Sequence, residues 1–298
     1  MNTVLMLVKR NTKIFFKDRG MFFTSLVTPA ILLVLYTTFL RGLYRDTFIS
    51  NIPEGFKVSD SIIDALVSGQ LISSILAVSC VTVAFCSNFL MVQDKYNGTI
   101  KDLTIAPLRP HVLAVSYYAA NLISTLIICY AAYFISIAYV MAIGCYMTLS
   151  DILLLLLDVT LLAFFGSALS SVINFFLSTQ GQISAVGTII SAGYGFICGA
   201  YMPISSFGKA LQKILGFLPG TYGTALVRTH SLRGALTELE SQGVPEEVVK
   251  SFKDALDCNI YFFDRYVSVP AMYLILGGSV AVLVGVYIIF NVMRKKVR

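Results

Sequence analysis

The chain has 298 residues, of which 57% are hydrophobic and only 13% charged, and its mean hydropathy is +0.80. A soluble domain carries about 25% charged residues, so a water-facing globule of this size is excluded. The net charge of +6 would suit nucleic acid, but stretches 65–93, 112–150 and 159–208 carry no charge at all, as expected of membrane spans.

Residues 2–19 read as an amphipathic helix. Val4, Leu5, Val8, Phe15 and Phe16 share one face, bridged by Thr12, while Lys9, Arg10, Lys13 and Lys17 share another. Such a helix lies in the membrane interface, with lipid phosphates attracting its basic side. An anchor and a lever reaching a cytoplasmic partner both fit.

Six segments are long and apolar enough to cross a bilayer, which takes about 20 residues: 21–40, 66–93, 112–144, 152–177, 183–202 and 268–293. The first is too long for a signal peptide and no small-residue cleavage site follows it. A turn is expected at 144–150 and a polar break at Ser178-Thr-Gln-Gly-Gln182. The organisation is therefore 1–20 interfacial, 21–202 spans one to five, 203–267 outside or half-inserted, and 268–298 the sixth span with a basic tail. The fold class is all-α polytopic.

Lys and Arg concentrate in three pieces: the segment before the first span, the loop after the second, and the tail. Together these hold 12 basic and 3 acidic residues. Cytoplasmic loops carry such an excess, so both termini are expected in the cytoplasm and the basic surplus speaks for topology, with no nucleic-acid partner. Residues 204–222 are moderately apolar but interrupted by Lys209 and Lys213. They suit a re-entrant hairpin better than a span, with Pro219-Gly220 ending it. Residues 245–256 read as a small helix outside the membrane: Pro opens it, acids fill its first turn, and Val248, Val249, Phe252 and Leu256 share a face.

No phosphate loop occurs; Gly208-Lys209 is followed by Ala210 and lacks the upstream glycine. The two histidines, His111 and His230, stand too far apart for a sequence-local metal pair, and the six cysteines make no Cys-x-x-Cys pair. Catalytic and metal sites are accordingly expected to be absent. Asp158 is the only acid well inside a span. It reads either as a polar contact in a translocation path or proton site, or as a shallow residue near the outer headgroups. Gly187, Ser191, Gly195 and Gly199 form a small-residue stripe in the fifth span, and Gly277, Ala281 and Gly285 form another in the sixth. Such stripes serve helix packing or a subunit contact. Gln70, Ser73, Ser74, Ser79, Thr82 and Asn88 on the second span either line a cavity or bond to neighbours.

The segment 94–110, DKYNGTIKDLTIAPLRP, starts charged, turns apolar and stops at Pro107 and Pro110. It reads as a loop or as a short docking helix for a soluble partner.

Three motifs in order resemble the type-2 ABC exporter permeases. Arg10, Lys17-Asp18-Arg19, Pro29 and Phe39 resemble the family's basic helix and first span. Asp94-Lys95, Gly98-Thr99-Ile100, Leu103 and Pro107 resemble its pattern after the second span. Gly199, Met202-Pro203-Ile204, Leu218-Pro219 and Tyr222 resemble its pattern after the fifth. Where the family often carries an acid, this chain has Lys101.

The resemblance implies six spans, two permease subunits forming a homo- or heterodimer, and a separate ABC ATPase subunit holding ATP and Mg, with no cofactor on this chain. It implies that Asp94, Lys95, Gly98, Thr99, Lys101, Leu103 and Pro107, with the helix of Lys9, Arg10, Lys13 and Lys17, meet the ATPase. It makes Pro203, Leu218 and Pro219 an outer gate. Substrates of such permeases include drugs, antimicrobial peptides, glycans and lipid-linked polymers. The bulky segment 203–267 leans to a hydrophobic or amphipathic substrate, and the tyrosines of the third span (117, 118, 130, 133, 139) to a glycan. An ATP-independent transporter or channel would show paired midplane charges and inverted repeats.

Overall fold

A computed structural model describes residues 3–51, 58–105, 110–144, 146–263 and 265–294. The chain opens with α1 (Thr3–Lys17), then α2 (Arg19–Leu35) running through a π-helical turn (Tyr36–Leu40) into α3 (Arg41–Asn51). There follow α4 (Asp60–Tyr96), α5 (Thr99–Ile105), α6 (Pro110–Ile143), α7 (Leu149–Phe176) and α8 (Gln180–Ile197). The segment before the last helix holds α9 (Lys209–Leu215), α10 (Pro219–Ser241), α11 (Glu246–Ala255) and an antiparallel ribbon of β1 (Ile260–Phe262) and β2 (Arg265–Val267). The last helix is α12 (Val269–Arg294).

Among the described residues, five helical stretches are long and apolar enough to cross a membrane: Arg19–Ile49, Asp60–Tyr96, His111–Ile143, Leu149–Phe176 and Val269–Met293. The segment expected at 183–202 is the shorter α8. It starts on two glutamines and ends at Ile197, because Gly199 takes a φ of 77° and turns the chain away. The expected polar breaks are capping boxes: Thr148 with Asp151 opens α7, and Thr179 with Gln182 opens α8. Each side chain satisfies an amide that the first turn leaves free.

The central helix is α4, buried almost from end to end among α2, α6, α7, α8 and α10. Of its polar residues Asn88 and Ser74 reach neighbouring elements, whereas Ser73, Ser79 and Thr82 bond back to carbonyls of α4 itself and the buried Gln70 side-chain amide has no hydrogen-bond partner among the described residues. Asn88 donates to Ser170 and Ser171 at 3.2 and 3.0 Å, and Ser74 donates to the Ala200 carbonyl at 2.6 Å. One apolar core fills the bundle around Leu76, Phe85, Leu155 and Leu162. A second core, with Tyr36, Phe48, Ile62, Leu66, Leu236 and Phe252, gathers α3, the start of α4, the end of α10 and α11.

Two expectations are corrected. The docked face of α1 is Leu7, Val8, Asn11 and Phe15, with Leu5 60% exposed. The helix packs chiefly on α6, and the Arg10–Asp94 ion pair sets its rotation. Pro219-Gly220 ends nothing. Proline at the first helical position leaves no amide orphaned, and it starts the 23-residue α10. This helix is buried against α4, α7 and α12, with Gly220 beside Phe165 and Tyr194 halfway along the bundle, and Gly234 against the Tyr146 carbonyl at its end. The segment expected as a re-entrant hairpin thus consists of the short α9 followed by the long, buried α10.

Candidate functional site

A groove of about 1740 Å³ runs along one side of the bundle. One wall is α2 and α3, from Gly20 to Thr47; the other is α8, with Ile183, Gly187, Ser191 and Phe196 among its residues. Cys86, Phe89 and Gln93 of α4 form the floor, and Met202, Pro203, Phe252 and Leu256 close the end nearer α11. At 1.5 Å per residue, the α2–α3 wall extends roughly 40 Å, which is the full thickness of a bilayer with its headgroups. The lining is apolar with scattered hydroxyls (Thr24, Thr28, Ser184, Thr188), and Asp18 at the end nearer α1 is its only charged residue among those described. Two features of α2 open this wall. Pro29 removes the amide that would bond the Ser25 carbonyl. The π turn rotates Tyr36 onto α4, where its hydroxyl donates to the Val67 carbonyl at 2.7 Å.

The small-residue stripe of α8 divides. Gly187 and Ser191 line the groove, and a Cβ on Gly187 would rest 3.4 Å from the Phe89 ring. Gly195 is covered by Tyr201, whose ring lies 2.4 Å from where a Cβ would be, and Gly199 makes the turn against Ile204 and Asp257. In α12, Cβ atoms on Gly277 or Gly285 would meet nothing within 4 Å. The gate residues separate as well. Pro203 lines the groove, whereas Leu218 and Pro219 open α10 elsewhere.

At the end of the bundle nearer α1, Asp94 and Lys95 are turned into the protein. Asp94 is buried and accepts from Arg10 at 2.8 and 3.3 Å and from the Tyr117 hydroxyl at 2.6 Å. The carboxylate holds the Arg10 guanidinium above its already high ordinary value, against the desolvation that opposes it. Lys95 Nζ donates to the carbonyls of Asn174, Phe175 and Leu177 at 2.6–2.9 Å, capping α7 where cations are favoured. These two residues therefore tie α1, α6 and α7 to the end of α4. Gly98, with φ 81°, turns the chain into α5. Thr99 and Leu103 are half-buried there, and Lys101, Asp102 and Ile105 are exposed beside Tyr96. Lys9, Lys13 and Lys17 are exposed on α1. Pro107 lies outside the described residues.

Asp158 does not line the groove. It is fully buried, bonded to His230 Nδ1 at 2.5 Å and to the Tyr273 hydroxyl, where α7, α10 and α12 meet. Sequence reasoning missed His230 because it missed α10: Arg228, His230 and Arg233 disguise a helix whose leucines at 226, 232, 236 and 239 are all buried. Arg228 is buried too. It donates to the carbonyls of Gly199 at 2.7 Å and Leu256 at 3.0 Å, and lies 3.5 Å from Asp257. Asp257 in turn accepts from the amides of Ile204 and Ser205. Burial pushes the Asp257 carboxyl above the ordinary carboxylate range, with Arg228 and the two amides opposing the shift. The Pro at a helix start was the signal available for α10.

A helical bundle with several bilayer-length apolar helices defines a multi-pass membrane protein. The family model for the ABC-2 type transporter matches residues 2–230, and the chain belongs to that family. No curated protein matches the chain. An ABC ATPase partner follows in general from that membership.

Proposed function

We propose that this chain is the permease subunit of an ATP-driven exporter in the plasma membrane, that it pairs with a second permease subunit, and that it moves a hydrophobic or amphipathic molecule outward. The groove carries this reading: it is as long as the bilayer is thick, apolar, and almost free of charge. Binding pockets for such molecules are mostly apolar with a few polar groups. The glycan alternative loses its support, because none of the tyrosines 117, 118, 130, 133 and 139 lines the groove. Tyr117, Tyr130 and Tyr133 instead bond to Asp94, Thr160 and the Ile152 carbonyl.

Both termini are cytoplasmic in this reading, and the ATPase subunit, holding ATP and Mg, docks on the exposed face of α5 and on the lysines of α1. Movement there reaches α4 through Arg10–Asp94 and α7 through Lys95. The transition is a rigid-body rotation that opens the groove to one side and then the other. Pro203 and Phe252 close its outer end.

The test fills the groove. Ser191→Trp and Thr28→Trp should abolish export of a fluorescent amphipathic dye from cells while the ATPase subunit still co-purifies. Undiminished export with the groove filled would overturn the proposal, as would failure of any ATPase subunit to bind the native chain.

A further inference from the structure

The ribbon and α9 together present an aromatic surface that the groove does not use. Phe217, just beyond α9, packs edge-on against Phe262 and Phe263 with centroids 5.1 and 5.9 Å apart. Tyr261 and Tyr266 pair across the ribbon at 6.0 Å. Phe217, Phe263, Tyr261 and Tyr266 are all exposed, and so are Leu211 and Ile214 on α9. The ladder pairs Phe262 with Arg265, and Phe263 follows directly on that last pair. Phe263 takes a φ of 47°. This conformation suits Gly or Asn and is strained for a bulky residue. A water-facing turn has no use for a phenylalanine there.

We propose that this surface is a membrane anchor, seated among the lipid headgroups and upper acyl chains of the leaflet on the face opposite α1 and α5. In the orientation proposed above, that is the outer leaflet. Position supports it: the ribbon ends at Val267, two residues before a helix long and apolar enough to span, whose Leu274 and Ile275 are exposed directly below. Residues with an apolar body gather at this depth. Charge supports it as well. Lys209, Lys213 and Arg265 are exposed around the rings, with Lys213 Nζ 5.5 Å from the Phe263 centroid. The sequence sets only Asp264 against them within 209–218 and 260–267. Basic side chains meet lipid phosphates while the neighbouring apolar face sinks below them. Strand ribbon, hairpin and last span would then share one fixed depth, so that α10 moves relative to a point held by lipid.

The chain contains no tryptophan, so a single introduced one reports on its own surroundings. The experiment takes the full chain in phosphatidylcholine vesicles as Phe217→Trp, Phe263→Trp and Tyr266→Trp, each placed by a conservative exchange. Phe85→Trp, in the buried core of the bundle and away from the groove lining, is the reference. Part of the lipid is brominated either near the headgroup end or near the tail end of its acyl chains. The expected result is that Phe217→Trp and Phe263→Trp lose more than half their emission to the shallow label, less to the deep one, and little to acrylamide, while the reference is unaffected by any of them. Quenching by acrylamide with none by brominated lipid would put the ribbon in water. Protection from both would put it under another protein surface, and equal or stronger quenching by the deep label would put it below the interface. Each of these overturns the anchor. Export plays no part in the readout, so the result is independent of the groove proposal.

Discussion

Removing one member of the buried pair at Asp158 should be far more damaging than removing both. Neither side chain has appreciable access to solvent, and they meet at 2.5 Å. Wherever the shared proton resides, His230→Leu leaves a buried carboxyl with only the Tyr273 hydroxyl, and Asp158→Leu leaves a buried imidazole. Orphaning one partner of a buried ion pair costs about 3–5 kcal/mol. The double variant removes both polar groups and leaves the Tyr273 hydroxyl short of a partner, at about 1–3 kcal/mol. It should therefore be more stable than at least one of its parents. Reversible unfolding in mixed detergent micelles, run as a double-mutant cycle, measures this directly. Single variants each costing under about 1 kcal/mol, as expected of a solvated pair, would refute the reasoning, and so would costs that simply add. Asp158→Asn tests the other half of the question. If export and coupled ATPase activity survive it unchanged, the pair is a structural joint between α7, α10 and α12 and nothing more.

Gly166→Ala should destabilise by about 1–3 kcal/mol through overpacking, since its Cβ would sit 2.6 Å from the Cys80 carbonyl where α7 crosses α4. Gly277→Ala, with no neighbouring atom within 4 Å, should gain up to about 1 kcal/mol from helix propensity. The same unfolding assay separates the two. Lys95→Met, which uncaps α7, should cost up to about 2 kcal/mol and weaken coupling between ATPase binding and export, read as dye transported per ATP hydrolysed. The fold raises the Asp257 pKa, so this residue's contribution is complete below the ordinary value of about 3.9 and is lost as pH rises through the raised one. The stability of Asp257→Asn relative to the native chain should accordingly improve as pH rises from the acid side. A pH-independent difference in unfolding free energy would contradict that.

Much of the architecture was legible in the chain because lipid imposes a simple demand. Every backbone group in the hydrocarbon must be satisfied internally, so long uncharged runs can only be helices. The turn at Gly144 and the caps at Thr148 and Thr179 follow from local chemistry that needs no partner. So does the short helix α5, launched by Gly98. The same local reasoning failed at α10, because a helix carrying Arg228, His230 and Arg233 looks solvated until its partners are in place. Nor could it find the contacts of Asp94 and Lys95. Both belong to a recognisable charged motif, but their charges are spent on Arg10, Tyr117 and the end of α7.

Composition, hydropathy and the placement of Lys and Arg determined by themselves that this is a helical membrane protein, and ordered motifs pointed to its family. These are properties of single segments, or of segments against lipid, and they survive without knowledge of what touches what. Tertiary structure alone decided that α2 and α8 leave a groove between them. It alone brought Asp158 to His230 across 72 residues, and Phe217 to Phe263 beside the ribbon. Those outcomes depend on which faces of separate helices meet, and a pattern read along one segment carries no information about the face of another.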